Sequence, residues 1–124
     1  MNKKIIAIDF DGTCVVASYP NVGRDIGAQP ILKRLVADGN KLILWTMRSG
    51  IHLQDAIDWF AKNDIPLWGI QKNPTQSNWT TSPKAYAHLY IDDAALGCPL
   101  LSGLTGEPPY VDWKAVEAIL YPEI

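Results

Sequence analysis

Asp9 and Asp11 stand two residues apart in Asp9-Phe10-Asp11-Gly12-Thr13, directly after the apolar run Ile5-Ile6-Ala7-Ile8. Alternate side chains of an extended strand share a face, so both carboxylates are expected side by side at a strand's end. Gly12 then allows a sharp backbone turn that a residue with a Cβ would resist. Two unit charges about 4 Å apart repel by roughly 4 kcal/mol at an effective dielectric near 20. Such a pair implies a bound cation, a shared proton, or both. Aspartate is also an ordinary loop residue after strands, and the pentapeptide alone leaves that reading open. A second pair, Asp92-Asp93, follows another strand-like run, Leu89-Tyr90-Ile91. Loop chemistry accounts poorly for two acidic strand ends in one small chain.

These ligands suit a hard cation. Mg²⁺ takes octahedral oxygen coordination and usually combines water, one or two carboxylates and a substrate phosphate. Beside a phosphate, a metal-neutralised carboxylate is a nucleophile. A second carboxylate two residues on can give a proton to the leaving oxygen and later take one from water. Phosphoryl transfer also needs donors around the equatorial oxygens. Thr46 offers a hydroxyl and nearby backbone N–H groups, and with it we group Met47 and Gly12. Arg48, two residues after Thr46, is expected near the substrate as a source of positive charge, as is a lysine.

The elements that must position these residues can be read from the apolar pattern. A first strand is expected over 4–10, followed by a segment over 11–29 that is long for a strand-to-helix connection. Within that segment, 14–17 and 22–24 flank Tyr19-Pro20-Asn21, which suggests a β-hairpin flap beside the acids, spanning about 13–27. Pro30 suits the first position of a helix whose stripe is Ile31, Leu32, Leu35 and Val36, ended by Gly39. A second strand over 41–45 ends at Thr46. A second helix over about 51–62 buries Leu53, Ala56, Ile57 and Phe60. A third strand is expected over 66–70, a long polar loop over 71–86, and a fourth strand over 88–92. Residues 94–110 are rich in Gly and Pro, with a short edge strand at 99–101. Asp112 can cap a last helix with Val116, Ile119 and Leu120 on its apolar side.

Strands alternating with amphipathic helices indicate an α/β fold, a three-layer α/β/α sandwich on a parallel Rossmann-like sheet. Ligands of such sheets bind beyond the carboxyl ends of the strands, so Asp9/Asp11, Thr46 and Asp92/Asp93 are expected to open onto one edge. The 124 residues suit a single domain, 1–124. A net charge of −2 and scattered Lys and Arg give no nucleic-acid footprint, and no run approaches a membrane span. The apolar run after Met1-Asn2-Lys3-Lys4 is too short for an export signal, and Cys14 and Cys98 lack metal-ligand spacing. Reduced thiols and a cytoplasmic location are therefore expected.

Asp9-Phe10-Asp11-Gly12-Thr13, Thr46, Lys84 and Ile91-Asp92-Asp93 resemble, in order, the four motifs of the haloacid dehalogenase superfamily of phosphohydrolases. The resemblance spans residues 5 to 93. It implies Asp9 as nucleophile and Asp11 as general acid/base, with the Asp11 carbonyl also on Mg²⁺. It further implies Thr46 as phosphate ligand and Lys84 as the cation orienting nucleophile and phosphate. Asp93 is then the direct metal ligand and Asp92 its close neighbour, an order the sequence does not separate. Lys84 lies eight residues before Asp92, on a loop, and Lys72 is a credible substitute.

Neither inter-motif gap has room for a cap domain, so the resemblance is to the capless subgroup. An open site would admit a phosphorylated macromolecule. Alternatively, the flap with the 71–86 loop, or a neighbouring subunit of a homo-oligomer, would close over a phosphorylated small molecule. The expected activity is a Mg²⁺-dependent phosphatase working through an aspartyl-phosphate. The competing reading is a non-catalytic Mg²⁺ or phospholigand-binding module on the same scaffold. A phosphoaccepting receiver domain is disfavoured, because its acceptor normally follows the third strand. Trp45 and Trp68 read as core, Cys14 as a packing residue, and Trp79 as a pocket roof or an exposed aromatic. His52 and His88 carry no partner signal.

Overall fold

The computed structural model describes residues 3–123. Four strands, β1 (Ile5–Ile8), β2 (Lys41–Leu44), β3 (Gly69–Ile70) and β4 (Leu89–Ile91), form one sheet in the order β3-β2-β1-β4. All three pairings are parallel. Helices α1 (Ala28–Ala37), α2 (Gly50–Lys62) and α3 (Trp113–Leu120) accompany it, with a two-stranded antiparallel ribbon of β5 (Leu100–Leu101) and β6 (Tyr110–Val111). This is the expected α/β architecture.

The pleat sorts the strand residues into two packings. Ile6, Ile8, Leu42 and Leu44 join Leu32 and Leu35 of α1, Ala56, Trp59 and Phe60 of α2, and Trp113 and Val116 of α3 in the main core. Ala7 and Ile43, on the opposite face, pack with Ala87, Trp45 and Trp68. That second face is layered by the 71–88 segment. Its backbone is braced by two buried amides rather than by long strands or helices. Asn73 Nδ2 donates to the Tyr86 carbonyl at 3.0 Å. Gln76 Nε2 donates to the carbonyls of Ser82 and Lys84, and its Oε1 accepts the Tyr86 N–H at 2.6 Å. A short 3-10 turn, Gln76–Asn78, falls inside this segment.

Several expected boundaries shift for physical reasons. The helix begins two residues before Pro30, which therefore sits inside the first turn; N–H groups there have no intrahelical acceptor, so a residue without one is tolerated. The third strand shrinks to Gly69–Ile70, because Pro66 brings no N–H to a ladder. The segment at 99–101 does not extend the main sheet; Leu100 and Leu101 pair with Val111 and Tyr110. In α3 the Asp112 side chain accepts the Ala115 N–H as expected, but Ile119 is 65% exposed. Trp113, at the start of that helix, takes the buried place.

The flap keeps antiparallel legs without becoming a regular hairpin. Val16 N–H donates to the Arg24 carbonyl at 3.0 Å, and Val15 bridges Asp25. Beyond that point the carbonyls of Pro20 and Asn21 turn inward to a side chain instead of to the opposite leg. Trp59 Nε1–H donates to Asp25 at 2.8 Å, and Arg24 pairs with Glu107, so both α2 and the 94–110 segment hold the flap's return leg. Among the described residues no helix is long and apolar enough to cross a membrane.

Candidate active site

The register carries Asp9 to the edge of the sheet between two neighbours. Ile8 is aligned with Leu44 on one side and with Ile91 on the other, so the next positions are Trp45, Asp9 and Asp92. Two hydrogen bonds extend the ladder there: Trp45 N–H to the Ile8 carbonyl at 2.9 Å, and Asp9 N–H to the Ile91 carbonyl at 3.0 Å. Asp93 follows and turns toward the start of the chain. Carboxylate oxygens of Asp9, Asp92 and Asp93 lie within 4.8 Å of one another. Cis ligands of Mg²⁺ are roughly 3 Å apart and trans ligands roughly 4 Å, given bonds of about 2.1 Å, so modest side-chain adjustment fits three hard oxygen donors to such an ion.

Thr13 is the hub of this cluster. Its side chain is fully buried. The hydroxyl donates to Asp9 Oδ2 at 2.8 Å and accepts the Asp93 backbone N–H at 3.0 Å. Trp113 Nε1–H in turn donates to the Thr13 carbonyl at 2.7 Å, and Val111 N–H to the Gly12 carbonyl at 3.0 Å. The C-terminal strand and helix thus buttress the N-terminal acidic turn. The letters DFDGT mark Thr13 as part of a motif, but no sequence signal pairs it with Trp113, 100 residues away.

Gly12 is needed for space. Its φ is +79°, in the left-handed region, and a Cβ there would lie 2.4 Å from Asp93 Oδ2. Its N–H is already taken by the Val15 carbonyl at 2.8 Å, so in this arrangement it is not a free donor.

Burial pushes the Asp9 carboxyl up to about 8 from an ordinary 3.8, helped by its hydrogen bond with Asp93 and by the charge of Asp92. The Thr13 hydroxyl and the Phe10 N–H pull the other way and do not offset this. Asp9 therefore tends to hold a proton near neutral pH unless a cation replaces it. Cys14 donates its thiol to the Asp9 carbonyl at 3.3 Å; complete burial pushes that thiol well above its ordinary value, which leaves it a packing group and no nucleophile.

Asp11 does not join this cluster. β1 ends at Ile8 and its ladder runs out at Asp9, so the alternation that would have put Asp9 and Asp11 on one face has stopped before Asp11, which bridges Val15 instead. Arg48 holds Asp11 instead, with Nε to Oδ2 and Nη2 to Oδ1, both at 2.8 Å. The remaining Arg48 hydrogens go to the carbonyls of Pro20 (3.1 Å), Asn21 (2.7 Å) and His52 (3.2 Å). All five guanidinium donors are thereby used. The side chain is 1% exposed, while that of Asp11 keeps 21% of its surface open. Arg48, expected at the substrate, is built into the protein.

Thr46 and Met47 stand at the neighbouring strand end. Gln71 clasps this turn: its Oε1 accepts the Thr46 N–H at 2.9 Å, and its Nε2 donates to the carbonyls of Thr46 (2.6 Å) and Arg48 (3.1 Å). Arg48 N–H donates to Thr46 Oγ1 at 3.1 Å. Met47 is 97% exposed. Gln71 itself adopts φ +60°, and along the sequence it is only the first residue of a polar loop.

A cleft of about 210 Å³ beside Asp9 and Asp92 is lined by Trp45, Tyr90 and Ala7. Tyr90 is fixed by its hydroxyl, which donates to the Ala85 carbonyl at 2.7 Å. Lys84 Nζ lies 5.3 Å from the centroid of that ring, so this lysine flanks the cleft without bonding Asp9. Lys72 lines a different cavity, inside the 71–85 segment. Trp79 is 65% exposed, rests edge-on against Tyr86 and is not among the residues lining the cleft beside Asp9.

The fold and its acidic edge define an α/β protein with a candidate metal-ion site at the carboxyl end of a parallel sheet. No protein-family model matches the chain, and no curated protein does. Among solved structures, the chain is similar to a conserved protein from Bacteroides thetaiotaomicron, with 33% identity over 99% of this chain and 94% of that one, and a TM-score of 0.79. The chain belongs to the family of that conserved protein.

Proposed function

We propose that this protein is a Mg²⁺-dependent phosphatase of the haloacid dehalogenase type, without a cap domain, acting on a phosphate monoester through an aspartyl-phosphate on Asp9. The observation that carries this reading is the meeting of Asp9 with Asp92 and Asp93, from opposite ends of the chain, at one sheet edge. Asp9, Asp92 and Asp93, with the Asp11 carbonyl, would hold the ion. Such an ion would keep Asp9 ionised and would neutralise part of the phosphate charge.

An Asp9 carboxylate oxygen attacks phosphorus while the ester P–O bond breaks and its electrons pass to the leaving oxygen, which takes a proton. Water then attacks the aspartyl-phosphate, its proton passes to a base, and inorganic phosphate leaves with Asp9 restored. Asp11 is the acid/base of this scheme, through the part of its carboxylate that faces outward. The Thr46 hydroxyl and the Met47 N–H are the donors toward the phosphate oxygens, and Lys84 supplies charge at the rim. A cytoplasmic location and a phosphorylated small molecule or macromolecule as substrate complete the reading.

One observation favours the competing reading, a Mg²⁺ or phospholigand-binding module. Both Asp11 oxygens and all Arg48 donors are engaged inside the protein. A screen of phosphate monoesters with and without Mg²⁺ separates the two. Hydrolysis that requires Mg²⁺ and disappears in Asp9→Asn is the expected result; thermal stabilisation by Mg²⁺ with no hydrolysis of any ester would establish the binding module.

A further inference from the structure

Arg48 joins three parts of the molecule that the chain separates. Its fork grips Asp11 in the acidic turn, its Nη atoms hold the Pro20 and Asn21 carbonyls of the flap tip, and Nη1 also holds the His52 carbonyl in the first turn of α2. Aromatic rings flank the guanidinium, with Phe10 at 5.1 Å and Tyr19 at 5.2 Å from its carbon. Tyr19 also meets the His52 ring edge-on at 5.4 Å. Burying a guanidinium this fully is costly unless each donor is met, and here each one is. A side chain so placed has one geometry available, and so does the carboxylate it grips.

We propose that Arg48 is the positioning residue of the site: it fixes the direction of the Asp11 carboxylate and couples that direction to the flap, so that flap tip and Asp11 are held as one unit. Lysine cannot substitute, because a point charge lacks the planar fork that meets two carboxylate oxygens and three carbonyls together. The flap then serves as more than a cover. Movement at Pro20 and Asn21 reaches Asp11 through a single side chain, and loss of the Asp11 carboxylate loosens the flap.

Two experiments decide this. The first is hydrogen exchange on the whole chain, which needs no activity. Arg48→Lys and Asp11→Asn are both expected to speed exchange of the Val16 and Asn21 amides about tenfold or more relative to the helical amides of α3. Flap protection unchanged in Asp11→Asn would overturn the coupling. The second rests on the phosphatase reading and uses an ester that the wild type hydrolyses. Arg48→Lys is expected to lower kcat on the order of 100-fold with little change in KM, as for a displaced catalytic group. Guanidinium ion is expected to restore part of the activity to Arg48→Ala. A rise in KM at constant kcat would make Arg48 a substrate ligand and overturn the assignment. A wild-type protein without phosphatase activity would count against the proposed function alone, and the exchange result would still decide the coupling.

Discussion

Asp93 packs against Gly12 so closely that a Cβ on the glycine would sit 2.4 Å from its Oδ2. The acidic cluster is therefore assembled on an absence. Gly12→Ala places a side chain in that gap and at a positive φ, which alone costs about 1–2 kcal/mol. A lower thermal midpoint is expected, together with loss of Mg²⁺-linked stabilisation as Asp93 is displaced. Calorimetry with and without Mg²⁺ checks both, and an unchanged Mg²⁺ response would show that Asp93 does not need this approach.

Thr13→Val keeps the shape of the hub and removes its hydroxyl. The Asp93 N–H and the Asp9 carboxylate each lose a partner, a cost of about 1–3 kcal/mol for a buried group left unmet. Thr13→Ser is expected to keep most of the stability. Denaturant melts of the two variants test the hydroxyl against the methyl group, and equal losses would assign the effect to packing.

Stability should depend on pH in a direction set by Asp9. Its folded carboxyl is raised from 3.8 to about 8, so between those values the folded state holds a proton that the unfolded chain has released. The contribution is fully present below 3.8 and is lost as pH rises through about 8. In chelator, the midpoint is expected to fall across this window, and Asp9→Asn to remove much of the fall. On the proposed reading Mg²⁺ would replace the proton, so its stabilisation is expected to grow with pH; a hundredfold excess over Kd is worth about 2.7 kcal/mol. A Mg²⁺ shift independent of pH would remove Asp9 from the binding site.

Trp113→Phe deletes the N–H that holds the Thr13 carbonyl while keeping an aromatic ring in the core. A destabilisation of about 1–2 kcal/mol is expected. If Trp113 also sets the acidic turn, Mg²⁺ affinity falls with it; an unaltered affinity confines Trp113 to the core.

Much of the fold is legible along the chain because it depends on local regularities. The apolar runs and stripes place β1, β2, α1, α2 and α3 within a few residues, and the two acidic doublets fall at strand ends as their positions suggest. By composition the 71–86 segment is a polar loop; what makes it a layer of the fold is the bracing by Asn73 and Gln76, two amides that composition alone cannot tell from solvated ones.

The side-chain pairings depended on where strands stop and how distant segments meet. Asp9 and Asp11 are two residues apart, yet β1 ends before either, so Asp11 turns to Arg48 while Asp9 turns to Asp92 and Asp93. Spacing along the chain predicts a shared face only while the strand lasts. The types of residue and their order were thus determined by the sequence itself: carboxylates after strands, a glycine at the turn, a threonine at the second strand's end. Which carboxylates converge, that Arg48 is sealed away from solvent, and that Thr13 joins the two acidic ends were decided only by tertiary packing, because burial and hydrogen-bond partners are properties of segments brought together from as far as 100 residues apart.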